Sequence, residues 1–204
     1  MAVDSKQARN GRAAQRSRTR KAILHAARRL LERGERPSLD EIAAEAEVSR
    51  ATAYRYFPGL DALLSESAVD ALVPEPEELF GADAPSDPAQ RVMLVDEVFD
   101  RACREREVPL RLMLARILER SAMEPYGGEP LRQNRRVPML RQALAPFEDQ
   151  LAPDKSELLV NALAMIIGTE GMIALKDVAG LDAGQSQEVR RWAIETLLKG
   201  ALSG

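Results

Sequence analysis

Residues 47–59 read EVSRATAYRYFPG. The chain of 204 residues holds four Phe, three Tyr and one Trp, and three of these aromatics, Tyr54, Tyr56 and Phe57, fall within four positions here. Ser49 is a good N-cap and Pro58-Gly59 a good stop, so the spacing predicts a short helix from Ser49 through Phe57. On a helical wheel Ala53 and Phe57 are i, i+4 and share a face with Val48 in the preceding turn. They form the inward set. Arg50 with Tyr54, Thr52 with Tyr56, and Ala51 with Arg55 make the adjoining outward stripes. Arginine offers a fork that matches guanine, Thr and Tyr hydroxyls reach phosphate oxygens, and Ala51 lets the helix lie close to base edges.

Working toward the N-terminus, Ser38 and Glu41 have capping-box spacing, and Leu39, Ile42, Ala43 and Ala46 repeat at helical intervals. Before them a helix from about Arg18 carries Ile23, Ala26, Ala27, Leu30 and Leu31 as one stripe and ends at Gly34, with Pro37 behind. After the short helix, a fourth from Leu60 to Val73 carries Leu63, Leu64, Ala68, Ala71 and Leu72, and Pro74 and Pro76 close the unit. Two short helices joined by a tight turn under a longer one describe a helix-turn-helix. Residues 1–17, with Lys6, Arg9, Arg12 and Arg16 and no apolar periodicity, are expected to be a flexible basic arm. The domains are thus 1–17, 18–73 and a helical body over 74–204. In the body, helices are expected at about 88–106, 109–122, 130–151, 154–179 and 184–202, with a kink or break where Pro138 and Pro146 fall.

Charge supports this division. The net charge is −3, yet residues 1–58 carry 13 Lys/Arg against 7 Asp/Glu, or +6, leaving −9 for the rest. A basic first quarter on an acidic body suggests two tasks in one chain. Several functions are disfavoured. Cys103 is the single cysteine and His25 the single histidine, so no zinc site has enough ligands and no internal disulfide is possible. The many Asp and Glu come without a nucleophile motif, a Gly-rich phosphate loop or a metal box, so no catalytic residues, no cofactor and no metal are expected. The longest uncharged run, Leu158 to Thr169, is shorter than the roughly 20 residues of a membrane helix. The expectation is a soluble, cytoplasmic, all-α protein with no membrane partner.

The body is rich in methionine, which lines adaptable cavities. Phe99, Met113, Met139, Phe147 and Met165 are candidates to line a cavity for a small apolar or amphipathic ligand, with Asn161 and Glu170 to orient it. Met93, Met123, Tyr126 and Met172 belong to the same population. The segment 158–179 is apolar on nearly all sides, and the last helix carries Val189, Trp192, Ala193, Ile194, Leu197, Leu198 and Ala201. Helices of that kind are buried all round, so the last two, paired with a second copy, would make a four-helix homodimer interface; the alternative for 158–179 alone is a central core helix of the single chain.

The span 18–64, and above all IAAEAEVSRATAYRYF, resembles the DNA-binding domain of the TetR family of transcriptional regulators. The resemblance implies a homodimer on a palindromic double-stranded operator, usually a repressor released when a small molecule binds the body. It implies phosphate contacts from Thr52, Tyr54 and Tyr56, base contacts from Arg50, Ala51 and Arg55, and a phosphate held near Ser38. With Ser49, these are the DNA-binding candidates. Two positions depart from the family pattern. Glu47 stands where a turn glycine is usual, and Leu60 where a lysine is usual. Both favour the alternative, a helical ligand-binding or protein-interaction module without specific DNA binding.

Overall fold

The computed structural model describes residues 2–123, 134–151 and 153–202. Side chains are described from Gln15 onward, apart from those of Ser65, Ala68, Val69, Arg120, Pro153 and Asp154. Among the described residues there is no strand. Contacts divide the chain into two units, Met1–Ala71 with Val108–Gln133, and Leu72–Glu107 with Asn134–Gly204.

In the first unit α1 spans Ala2–Glu32, α2 Leu39–Glu45, α3 Arg50–Tyr56 and α4 Leu60–Asp70. α1 starts at Ala2, so the segment expected to be a flexible arm is helical. Its Ala, Arg, Gln and Lys residues are strong helix formers, and it propagates from a stretch already fixed by packing. Ile23, Leu24, Ala26, Ala27 and Leu30 of α1 meet Leu39, Ile42 and Ala43 of α2, Ala53 and Phe57, and Leu63 of α4 in one core. Leu24 replaces Leu31 in the expected stripe, and Leu31 is exposed.

Both turns that frame α2 obey one rule. α1 ends with Glu35 N–H donating to the Leu30 carbonyl at 3.2 Å and Gly34 N–H to that of Leu31 at 2.9 Å. α2 ends with Val48 N–H donating to the Ala43 carbonyl and Glu47 N–H to that of Ala44, both at 3.0 Å. Each is the two-bond C-terminal motif that needs a left-handed residue just past the helix. Gly34 supplies φ +79 in the first and Glu47 supplies φ +55 in the second. The glycine expected at position 47 is therefore replaced by a residue that adopts glycine's conformation.

The second unit contains α5 (Pro76–Leu79), α6 (Pro88–Glu105), α8 (Arg136–Leu144) running into a 3-10 turn (Ala145–Gln150), α9 (Pro153–Ile166), α10 (Thr169–Ile173) running into a π turn (Ala174–Val178), and α11 (Ala183–Leu202). Pro146 opens the 3-10 turn, as its missing N–H dictates. Val92, Val95, Met139, Leu140, Leu163, Ile167, Ile194 and Leu198 lie at the centre of its core. The expected continuous helix 154–179 is instead broken. Gly168 has φ +100 and ψ −158, a conformation open essentially to glycine alone, and the flanking helices bend by 49°. A Cβ at Gly171 would stand 1.8 Å from the Ile166 carbonyl oxygen, so the restart requires glycine there as well. Across the break Arg136 Nη1 donates to the carbonyls of Ala164 at 2.9 Å and Ile167 at 2.6 Å, satisfying orphan acceptors at the end of α9. Arg91 serves the end of α8 in the same way, donating to the carbonyls of Ala143 and Gln142 at 2.7 and 3.1 Å.

α7, Glu107–Met123, departs from the expected domain boundary. From Val108 on it groups with the first unit, and none of its residues joins the core of the second. Among the described residues no single helix is long and apolar enough to cross a membrane; α9 with the following α10 and π segment passes only as a pair across the 49° bend.

Candidate nucleic-acid interface

The site is built on α3. Ser49 caps it, its Oγ accepting from the Thr52 N–H at 3.1 Å and lying 2.9 Å from the Thr52 hydroxyl. Its end is set by Phe57, which leaves the helix at φ −133, ψ 112, the extended conformation that a following proline imposes. Ala53 and Phe57 are 0% and 1% exposed and pin the inner face. Arg50, Ala51, Tyr54 and Arg55 are exposed on the outer face. Thr52 and Tyr56, expected fully outward, are half-buried. Thr52 shares its hydroxyl with Ser49, while the Tyr56 ring packs partly against the core, with the Arg55 guanidinium 5.6 Å from its centroid.

Three arrangements hold α3 at this angle. Arg20 of α1 donates through Nη1 to the Tyr56 carbonyl at 3.2 Å, pairs through Nε with Glu66 at 2.7 Å, and lies 4.4 Å over the Phe57 ring. It closes the carbonyl end of α3 and also supplies a cation–π contact. Arg29 of α1 and Arg33 just beyond its end reach Glu45 at 3.0 and 3.4 Å, tying α1 to α2; the hydrogen bond from Arg29 is the chief reason the Glu45 carboxyl is held below its ordinary range. Finally, Arg50 Nη1 lies 3.1 Å from Asp40 Oδ2. The other carboxylate oxygen, Asp40 Oδ1, is buried and has no hydrogen-bond partner among the described residues.

The roles of Arg20 and Asp40 have no local signal in the sequence. Arg20 stands there only as a basic charge, because its partners lie 36 and 46 residues away. Asp40 is ten positions from Arg50, a separation with no meaning until the turn is folded.

Ser38 makes the expected capping box. Its N–H donates to Glu41 Oε2 at 2.7 Å and its Oγ accepts from the Glu41 N–H at 3.3 Å. The bond from the Ser38 N–H and, after it, one from the Ser38 hydroxyl to the same oxygen at 2.8 Å hold the Glu41 carboxyl below its ordinary range. The carboxylate therefore already occupies the place where Ser38 was expected to help hold a phosphate. Between α1 and the turn lies an open cleft of about 830 Å³, with Gln15, Arg16 and Thr19 on one side and Glu47, Ser49, Thr52, Arg55 and Tyr56 on the other.

The candidate ligand residues are not brought together. Met139 and Phe147 are buried core, and Phe99 packs partly buried against that core. Asn161 is exposed and Met165 is 72% exposed, both on the outer face of α9. Glu170 pairs with Arg136 at 2.9 Å. Met113 belongs to α7 and so to the other unit. The sequence could not separate core methionines from surface ones, because both recur at helical spacing. Tyr126 lies outside the described residues. No group of three or more His, Cys, Asp or Glu side chains that could hold a metal occurs among the described residues.

Residues 23–66 match the family model described as bacterial regulatory proteins, tetR family. The solved structures include a TetR transcriptional regulator from Rhodococcus sp. RHA1, with 23% identity, a TM-score of 0.45, and 89% of this chain and 96% of that chain covered. None of the curated proteins matches.

Proposed function

We propose, for a chain whose residues 23–66 match the family model of tetR-family bacterial regulatory proteins, a transcriptional regulator that binds a palindromic operator as a homodimer and leaves it when a small molecule binds the second unit. One observation carries the DNA-binding part. α3 has one face locked by Ala53 and Phe57 and presents Arg50, Ala51, Tyr54 and Arg55 on the other. Glu47 completes the turn despite its Cβ, so the departure that favoured a DNA-silent module leaves the recognition helix in place.

On this reading α3 enters the major groove. Arg50 and Arg55 address base edges, and Ala51 lets the helix approach them. Tyr54, with Thr52 and Tyr56 at the margin, contacts phosphates. Two copies would read half-sites about 34–36 Å apart, or a multiple of that spacing. The dimer is supported by apolar side chains left exposed on the two helices expected to pair, Leu158 at 69% and Met165 at 72% on α9, and Trp192 at 68% on α11. Exposed groups of this size suit a partner surface. The ligand part rests on Met93, Phe99, Leu79 and Phe80, which stand partly buried at the margin of the second core. A ligand that prefers the arrangement of the free protein would lower operator affinity by the ratio of its affinities for the two states. Repression is the sign expected of such a device.

The test is selection of bound duplexes from a random library, followed by affinity against salt for wild type, Tyr56→Phe and Arg55→Ala. Enrichment of a palindrome and weakened binding in the variants is expected. Binding that is unchanged in both affinity and salt slope would refute the assignment of the face. Removing residues 1–16, which carry Lys6, Arg9, Arg12 and Arg16, is expected to flatten the salt dependence.

A further inference from the structure

We propose that Asp40 is a specificity-determining residue that acts through Arg50 by aiming its guanidinium at a guanine edge and away from phosphate. The inference rests on the DNA-binding reading above. Arg50 is the first residue of α3 and its side chain is 76% exposed. An arginine so placed has two kinds of acceptor within reach in a DNA complex, the phosphate oxygens and the base edges. Phosphate contact is indifferent to sequence, and contact with guanine O6 and N7 is not.

Asp40 changes that competition in two ways. Its Oδ2 holds Arg50 Nη1 at 3.1 Å, which restricts a side chain that otherwise carries large rotamer freedom and leaves other N–H groups of the fork for a second acceptor. Its negative charge beside the guanidinium also repels a phosphate while leaving a neutral base edge unopposed. The buried Oδ1, without a hydrogen-bond partner among the described residues, adds a reason for the pair to tighten. A guanidinium can close on both carboxylate oxygens through two N–H groups and still offer its other edge. Asp40 itself need not touch the DNA. It is a positioning residue, and α2 contributes to readout through it.

The experiment is selection from randomised duplexes with full-length wild type, Asp40→Asn, Arg50→Ala and the double variant, followed by competition titrations and thermal melts. Wild type is expected to prefer guanine at one position of each half-site by about tenfold or more. Asp40→Asn is expected to stay folded, to steepen its salt dependence, and to cut that preference to below about threefold. In the Arg50→Ala background Asp40→Asn is expected to change nothing at that position. Asp40→Asn with an undiminished guanine preference overturns the inference, whether or not affinity falls, and so does an equal effect of Asp40→Asn with and without Arg50. Failure of wild type to enrich any sequence would overturn the DNA-binding reading itself, and this inference with it.

Discussion

Glu47→Gly is expected to stabilise the protein. Glu47 occupies the left-handed position at the end of α2, at φ +55, with the Val48 and Glu47 N–H groups both bonded back into the helix at 3.0 Å. A side chain with a Cβ pays about 1–2 kcal/mol for that conformation. Glycine removes the penalty but adds about 0.5–1 kcal/mol of backbone entropy to be lost on folding. The net gain is then about 0.5–1 kcal/mol, a rise of about 1–4 °C in midpoint for a chain of this size. The assay is urea and thermal unfolding of Glu47→Gly, Glu47→Asn and Glu47→Ala, followed by far-ultraviolet circular dichroism. Asparagine, which tolerates the left-handed region, should fall between wild type and glycine, and alanine, which keeps the Cβ, should gain nothing. A gain for alanine equal to that for glycine would show that the side chain or its charge, not the backbone, is the source, and would refute the reasoning. Glu47→Gln separates the charge. It should leave stability within about 0.5 kcal/mol of wild type and raise DNA affinity at low salt, since Glu47 shares its cleft with Arg16 and Arg55.

Other perturbations test the second unit. Arg190 and Asp96 are 5% and 6% exposed and form a buried pair at 2.9 Å, with Asp100 a further 2.7 Å from Arg190 Nη2. Arg190→Met should therefore cost about 3–5 kcal/mol, and adding Asp96→Asn should recover part of it. Burial raises the Asp96 carboxyl despite the arginine. In Arg190→Met it rises further, so the folded state prefers the protonated form and the loss should deepen as pH climbs above the ordinary carboxylate range; unfolding curves flat with pH would contradict this. Burial pushes the Cys103 thiol up to about 11, so it should resist an aromatic disulfide reagent at neutral pH and react in one phase with unfolding. Leu158→Asp with Trp192→Asp should convert a dimer to a monomer in sedimentation, without loss of helicity.

The sequence disclosed the first unit well because its signals are local. The capping box at Ser38, the cap at Ser49 and the stop at Pro58 each act within four residues, and each stands where the spacing put it. The split between Phe57 inside and Tyr54 outside followed from helical period alone. What stayed hidden depends on distant partners. The Gly168 break looks like continuous apolar helix until Arg136, from another helix, is there to take its carbonyls. Asn161 and Met165 read as cavity residues because the uniform hydrophobicity of α9 gives no phase from which to tell inside from outside. The basic excess of residues 1–58 was also partly misleading. Arg20, Arg29 and Arg33 spend their charge on Glu66 and Glu45 within the unit.

Three helix ends are finished by arginines that arrive from elsewhere in the chain. Arg20 serves α3 across 36 residues, Arg91 serves α8 across 52, and Arg136 serves α9 across 28. Until those arginines dock, each end has bare carbonyls, so no one of these helices can be completed alone. Each unit should then open as a block, its amide protons exchanging together, and not fray one helix at a time. Lysine at any of the three positions would keep the charge yet lose the fork that spans two acceptors. The loss would appear first as uncoupled opening of the helix it had closed.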